Sequence, residues 1–158
     1  MKLSLPEQVK TALSMLEKSG FEAYAVGGCV RDSLLSLVPY DWDITSSALP
    51  EQVEKVFENF RIIETGMRHG TVTVLIDKMP LEITTFRIDG EYSDFRRPDS
   101  VTFTRSLSDD LSRRDFTMNA VAYNEKDGIV DLFGGQKDIE NKIIRCVGDP
   151  DCRFGEDA

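Results

Sequence analysis

Apolar residues recur at helical spacing near the start of the chain, at Val9, Ala12, Leu13 and Leu16, between Ser4-Leu5-Pro6-Glu7 and Gly20. Ser and Glu three apart form a capping box, Pro is tolerated in a first turn, and Gly ends helices, so the pattern predicts a helix over residues 6–18. Residues 21–26 read as a short strand broken by Gly27-Gly28, and residues 30–37 as a helix ended by Pro39. Residues 41–45 fit a second strand, and Leu49-Pro50-Glu51 opens a helix with Val53, Val56 and Phe57 on one face. The middle turns to strand patterns over 61–65, 70–76 and 81–87, the last two joined by a turn at Asp77-Lys78-Met79-Pro80. Residues 88–106 are polar and aromatic with little period, and a loop of that length is either functional or disordered. A short helix is predicted over 107–116, a hairpin of 120–124 and 129–132 around Glu125-Lys126-Asp127-Gly128, a helix over 136–141 and extended chain over 142–147. No internal repeat or low-complexity tract interrupts this mixed α/β pattern.

Composition narrows the classes. A chain of 158 residues, 41% hydrophobic and 30% charged, builds one cored domain, or one domain and the start of another. No apolar run approaches the roughly 18–20 residues of a membrane span, and the first residues carry no apolar signal core, so a cytoplasmic protein without a membrane partner is expected. The three cysteines, Cys29, Cys146 and Cys152, are far apart and odd in number, which reads as reduced thiols. One His and no CxxC exclude a His/Cys zinc site, so any metal would be held by carboxylates, favouring Mg²⁺, Mn²⁺ or Ca²⁺. The net charge of −9 weighs against a domain that grips nucleic acid over its whole surface.

Three features could carry chemistry. Asp41-Trp42-Asp43 on a strand puts two carboxylates on one face, about 6.5–7 Å apart along the chain, while Trp42 points to the core. Such a pair can chelate one hard cation or clamp two; a solvated strand end fits the same triplet. An EF-hand fails, because Ser46 and Gln52 fall where the loop needs Gly and Glu. Gly27-Gly28-Cys29-Val30-Arg31-Asp32, between a strand and a helix, suits an anion, with backbone N–H groups close by and Arg31 in the first turn; an ordinary tight turn is the alternative. Residues 87–114 hold six Arg, six acids and no Lys, a locally neutral stretch in which Arg offers planar forks for phosphate. His69 reads as structural, and Glu82 either as a third carboxylate or as a solvated strand residue.

Taken in order, these pieces resemble the N-terminal head of bacterial tRNA nucleotidyltransferases (CCA-adding enzymes) and the related poly(A) polymerases. The resemblance is carried by Gly27-Gly28-Cys29-Val30-Arg31-Asp32, Asp41-Trp42-Asp43-Ile44-Thr45, His69-Gly70-Thr71-Val72 and Glu82-Ile83-Thr84-Thr85-Phe86-Arg87. It continues through residues 89–98, Arg113-Arg114-Asp115-Phe116-Thr117-Met118-Asn119-Ala120, Asp131-Leu132-Phe133-Gly134-Gly135 and Phe154-Gly155-Glu156-Asp157-Ala158. It implies a polymerase-β-like nucleotidyltransferase fold of the α/β (α+β) class, a small mixed sheet flanked by helices, with residues 1–142 as catalytic head and 143–158 as the start of a helical neck, cut short.

By the same resemblance, Asp41 and Asp43 hold Mg²⁺. Gly27, Gly28 and Arg31 contact the triphosphate of CTP or ATP, and Arg114, Asp115 and Asn119 bind the incoming nucleotide. Segment 89–98 matches the loop of enzymes that add the terminal A, and Asp157 begins a base-reading motif whose Arg would follow Ala158. The implied reaction is two-metal transfer of CMP or AMP to the 3′ end of tRNA. A-addition alone, poly(A) synthesis and an inactive nucleotide-binding fragment stay open, as does the oligomeric state. A glycosyltransferase would not predict the Gly27-Gly28 turn or the Arg113-Arg114-Asp115 segment, and a small-molecule nucleotidyltransferase would not need segment 89–98.

Overall fold

The computed structural model describes residues 2–63, 69–89 and 101–148. Helix α1 (Glu7–Lys18) buries Val9, Ala12, Leu13 and Leu16, the stripe that the spacing predicts. Its start differs from the expected capping box. Pro6, with ψ 150°, is the N-cap and no side chain caps the helix, because an extended Pro6 leaves Ser4 two residues outside the first turn. Gly20 does end the helix, at φ +94°, with the Phe21 N–H donating to the Leu16 carbonyl at 3.0 Å.

Strand β1 (Ala23–Val26) leads into α2 (Gly28–Leu34). This helix stops before Pro39 is reached. Ser36 takes a left-handed φ of 60°, and the Leu37 N–H closes back on the Asp32 carbonyl at 2.8 Å. Next come β2 (Trp42–Ser46), α3 (Pro50–Val56), β3 (Arg61–Ile63), β4 (Thr71–Ile76) and β5 (Met79–Thr85). The β4–β5 turn needs only Asp77 and Lys78, at φ 47° and 67°, the left-handed pair of a tight hairpin turn. Met79 and Pro80, expected in the turn, therefore join the strand. The stretch expected as loop contains a two-stranded ribbon, β6 (Arg87–Asp89) against β7 (Val101–Phe103). Helix α4 (Leu107–Ser112) is capped by Ser106, whose Oγ accepts the Asp109 N–H at 3.2 Å. A single 3₁₀ turn (Thr117–Asn119), the hairpin β8 (Val121–Asn124) and β9 (Gly128–Asp131), and α5 (Gly135–Glu140) follow.

Seven strands form one mixed sheet in the order β3-β4-β5-β2-β1-β8-β9, with β2 and β5 parallel. Alternation along the strands sends side chains into two cores. Trp42, Ile44, Leu81, Ile83, Ala23 and Ala25 meet α1, α2 and α3 on one face, whereas Tyr24, Val26 and Ala122 meet Leu111 and Val147 on the other. No described helix is long and apolar enough to cross a membrane. Residues 142–147 form no regular strand; they brace the 115–117 segment instead. Thr117 N–H donates to the Arg145 carbonyl and Val147 N–H to the Asp115 carbonyl, both at 2.9 Å. Asp138, nearly buried in α5, accepts from Thr117 Oγ1 at 2.6 Å and from Arg145 Nε at 3.1 Å.

Candidate active site

The site forms where the second face of the sheet is left uncovered. Asp43 is the exposed residue of β2, between buried Trp42 and Ile44. Asp41 lies in the bend just ahead of the strand rather than within it. The parallel pairing puts Glu82 of β5 directly beside Asp43, on the same exposed face. Asp43's pKa is pushed up to about 6, first by desolvation against the surrounding protein and then by the Glu82 carboxylate; Arg114 opposes the rise, and Asp41 adds a smaller repulsion.

On the other side, β1 ends at Gly27, whose φ of +83° only glycine adopts without strain. A Cβ there would lie 3.6 Å from Arg114 Nη1, so the guanidinium sits against the turn. Arg31, on α2, donates from Nη1 to Asn119 Oδ1 at 2.8 Å and from Nε to Asp32 Oδ1 at 3.0 Å. A Cβ at Gly28 would lie 3.4 Å from Arg31 Nη2. The 3₁₀ turn that carries Asn119 is seated on Gly135 of α5, where a Cβ would strike the Thr117 carbonyl oxygen and come within 2.6 Å of Val121 Cγ2.

The structure thus brings Gly27, Gly28, Arg31, Asn119, Arg114 and Asp43 to one end of the sheet. Asp115 is exposed; its Oδ1 accepts the neighbouring Phe116 N–H at 2.7 Å and the Asn119 Nδ2 amide at 3.5 Å. Asp157, Cys152 and segment 90–98 lie outside the described residues. The His69 backbone carbonyl accepts from Arg87 Nη1 at 3.0 Å.

Sequence reasoning passed over Asp110. It is fully buried and accepts from Arg113, Arg114, Thr45 and the Arg87 N–H. Its spacing of three and four residues before Arg113 and Arg114 on a helix was the available signal, hidden by counting it only as one of six acids.

The donor set suits a hard divalent cation: carboxylate oxygens at a polar mouth, where substrate phosphates can complete the shell. Among the described residues, no group of three acidic, His or Cys side chains is gathered into a metal site by itself. Without a cation, the desolvated Asp43 carboxylate beside Glu82 should carry a charge penalty. The folded state, with Asp43's pKa at about 6, holds this proton more tightly than the unfolded chain does. Stability should fall as pH rises from the ordinary carboxylate range through about 6 and remain lower above it. Discounting for exposure, Asp43→Asn should stabilise the metal-free chain by about 1 kcal/mol at neutral pH and by little at pH ~4. Urea titrations across pH in chelator check this, and parallel profiles for parent and variant would refute it.

The family described as the poly A polymerase head domain matches residues 23–145. The chain is 53% identical over 158 residues to the CCA-adding enzyme of Ligilactobacillus salivarius (strain UCC118), covering 98% of this chain and 39% of that protein. It therefore spans about two-fifths of the length of such relatives. Among solved structures, it is similar to the Bacillus stearothermophilus CCA-adding enzyme in complex with CTP, at TM-score 0.85 and 45% identity, over 96% of this chain and 35% of that one. A tRNA nucleotidyltransferase complexed with a primer tRNA and an incoming ATP analog matches at TM-score 0.67 and 30% identity, over 87% of this chain and 39% of that one. The family match opens at the first sheet strand and closes in the segment that braces residues 115–117, so it encloses every residue gathered at the site. The chain belongs to the poly A polymerase head-domain family.

Proposed function

We propose that this chain is the catalytic head of a CCA-adding enzyme, transferring CMP and AMP from CTP and ATP to the 3′ end of tRNA. The observation that carries this reading is the Asp43–Glu82 carboxylate pair facing Arg114 beside the Gly27-Gly28 turn. The relatives with 45% and 53% identity, named as CCA-adding enzymes, support it. Asp41 and Asp43, with Glu82 adjacent, would hold the divalent ions, Mg²⁺ in the first instance. Ions bound there would supply Lewis-acid activation of the primer hydroxyl and charge neutralisation for the leaving pyrophosphate.

The chain's own groups do the positioning. Gly27 and Gly28 leave room for phosphate to approach the backbone at the start of α2. Arg31 and Arg114 set planar cationic forks beside that turn, suited to phosphate oxygens. Asn119, held by Arg31, would face the sugar. Asp115 and Asp157 keep nucleotide roles from the sequence resemblance alone. Residues 1–142 form the head in this reading and 143–158 open the neck; a tRNA substrate implies the cytoplasm.

The test is extension of a tRNA transcript lacking its 3′ CCA by the complete protein, with labelled CTP or ATP and Mg²⁺. Addition of three nucleotides is expected. A single A on a CC-ended transcript alone, or a long A tail, would reassign the enzyme within the family. No incorporation with Mg²⁺ or Mn²⁺ would overturn the reading.

A further inference from the structure

The Arg114 guanidinium is mostly enclosed, its side chain 18% exposed, and its Nε has no hydrogen-bond partner among the described residues. It is held from behind. Nη2 donates to Asp110 Oδ2 at 3.3 Å, while Nη1 lies against Gly27 at the mouth of the site. Asp110 is 0% exposed, so its charge is fully desolvated and its geometry is fixed by several partners at once. Oδ2 also accepts from Thr45 Oγ1 at 3.0 Å. Thr45 is two residues beyond Asp43 on the same face of β2. Oδ1 accepts from Arg113 Nε at 3.2 Å and from the Arg87 N–H, at the start of the β6–β7 ribbon, at 3.1 Å.

We infer that Asp110 is a positioning residue for nucleotide binding: through one buried carboxylate it locks Arg114 to the strand that bears Asp43 and to the base of the ribbon, fixing where the triphosphate sits relative to the carboxylates. This rests on the nucleotide site proposed above. A guanidinium left to rotate would lose affinity for phosphate even with its charge intact, because bidentate recognition depends on orientation.

The test is a double-mutant cycle on binding of Mg²⁺-ATP to the chain, read by calorimetry. Asp110→Asn should weaken binding about tenfold, the worth of one charge-assisted hydrogen bond. In an Arg114→Ala background, the same Asp110→Asn change should weaken it less than about twofold, since the group through which it acts is gone. Equal losses in both backgrounds would show a general effect on the fold and overturn the inference. So would unchanged binding by a stably folded Asp110→Asn. Should Asp110→Asn not fold, Thr45→Val removes one anchor of the carboxylate and leaves Arg114 untouched. It should weaken binding about two- to threefold, again only when Arg114 is present; no loss there would refute the inference. Arg114→Ala that binds Mg²⁺-ATP as the parent does would instead refute the site itself, and the inference with it.

Discussion

Asp43→Ala in the complete protein is expected to lower the rate of nucleotide addition by about 10³-fold or more, with the fold intact. A group that anchors the catalytic ions contributes several kcal/mol to the barrier, and each 1.36 kcal/mol is tenfold in rate. Asp41→Ala should cost a similar factor by the same logic. The usual objection, that an inactive variant has merely unfolded, is weak at position 43. The carboxylate there is held beside Glu82 with its pKa pushed up to about 6, so its removal relieves repulsion. Single-turnover extension of a CCA-less tRNA, with melting curves on the same preparations, gives both readouts. Activity within tenfold of the parent in either variant would remove that residue from the metal site.

Gly135→Ala is expected to be the most damaging glycine-to-alanine change among the described residues, costing about 3 kcal/mol and lowering Tm by about 10 °C. The added Cβ meets the Thr117 carbonyl oxygen and lies 2.6 Å from Val121 Cγ2. The first of these belongs to backbone fixed by the Arg145 clasp, so the contact cannot be relieved by a rotamer change. Any relief displaces the turn that carries Asn119, and nucleotide binding should fall with stability. The neighbouring Gly134→Ala is the control. Gly134 has φ +76° and no atom within 4 Å of a Cβ, so it should cost only about 1 kcal/mol of backbone strain. Thermal melts of the two variants compare them directly; equal losses would refute the packing argument.

Most elements were legible because their signals are local. The α1 stripe and the β8–β9 hairpin follow from spacing within a dozen residues. What escaped was set by partners distant in sequence. The β6–β7 ribbon consists of two three-residue strands that pair across an eleven-residue gap, too short to show alternation. The capping box at Ser4 failed because a backbone dihedral at Pro6, not side-chain identity, decides where α1 begins. At the site, strand spacing and turn chemistry pointed to Asp41, Asp43, Gly27, Gly28 and Arg31, whereas Arg114 and Asn119 came only from the family resemblance. The parallel register that sets Glu82 against Asp43 joins non-consecutive strands, and no local pattern encodes it. Asp110 was hidden differently: among alternating charges, nothing in the composition tells a buried carboxylate from a solvated one.

The strand order also sets a timetable. β1 lies between β2 and β8, and the Gly27 N–H finds its acceptor on Val121 at 3.3 Å. At ribosomal speeds of about 5–20 residues per second, Val121 is made roughly 5–20 s after β1. During that interval β2 to β5 can assemble on one side of β1, while its other edge stays open in an apolar Ala-Tyr-Ala-Val segment. Until Val121 is made, that edge of β1 has no partner strand, and the strand that covers it follows directly on the segment that carries Arg114 and Asn119.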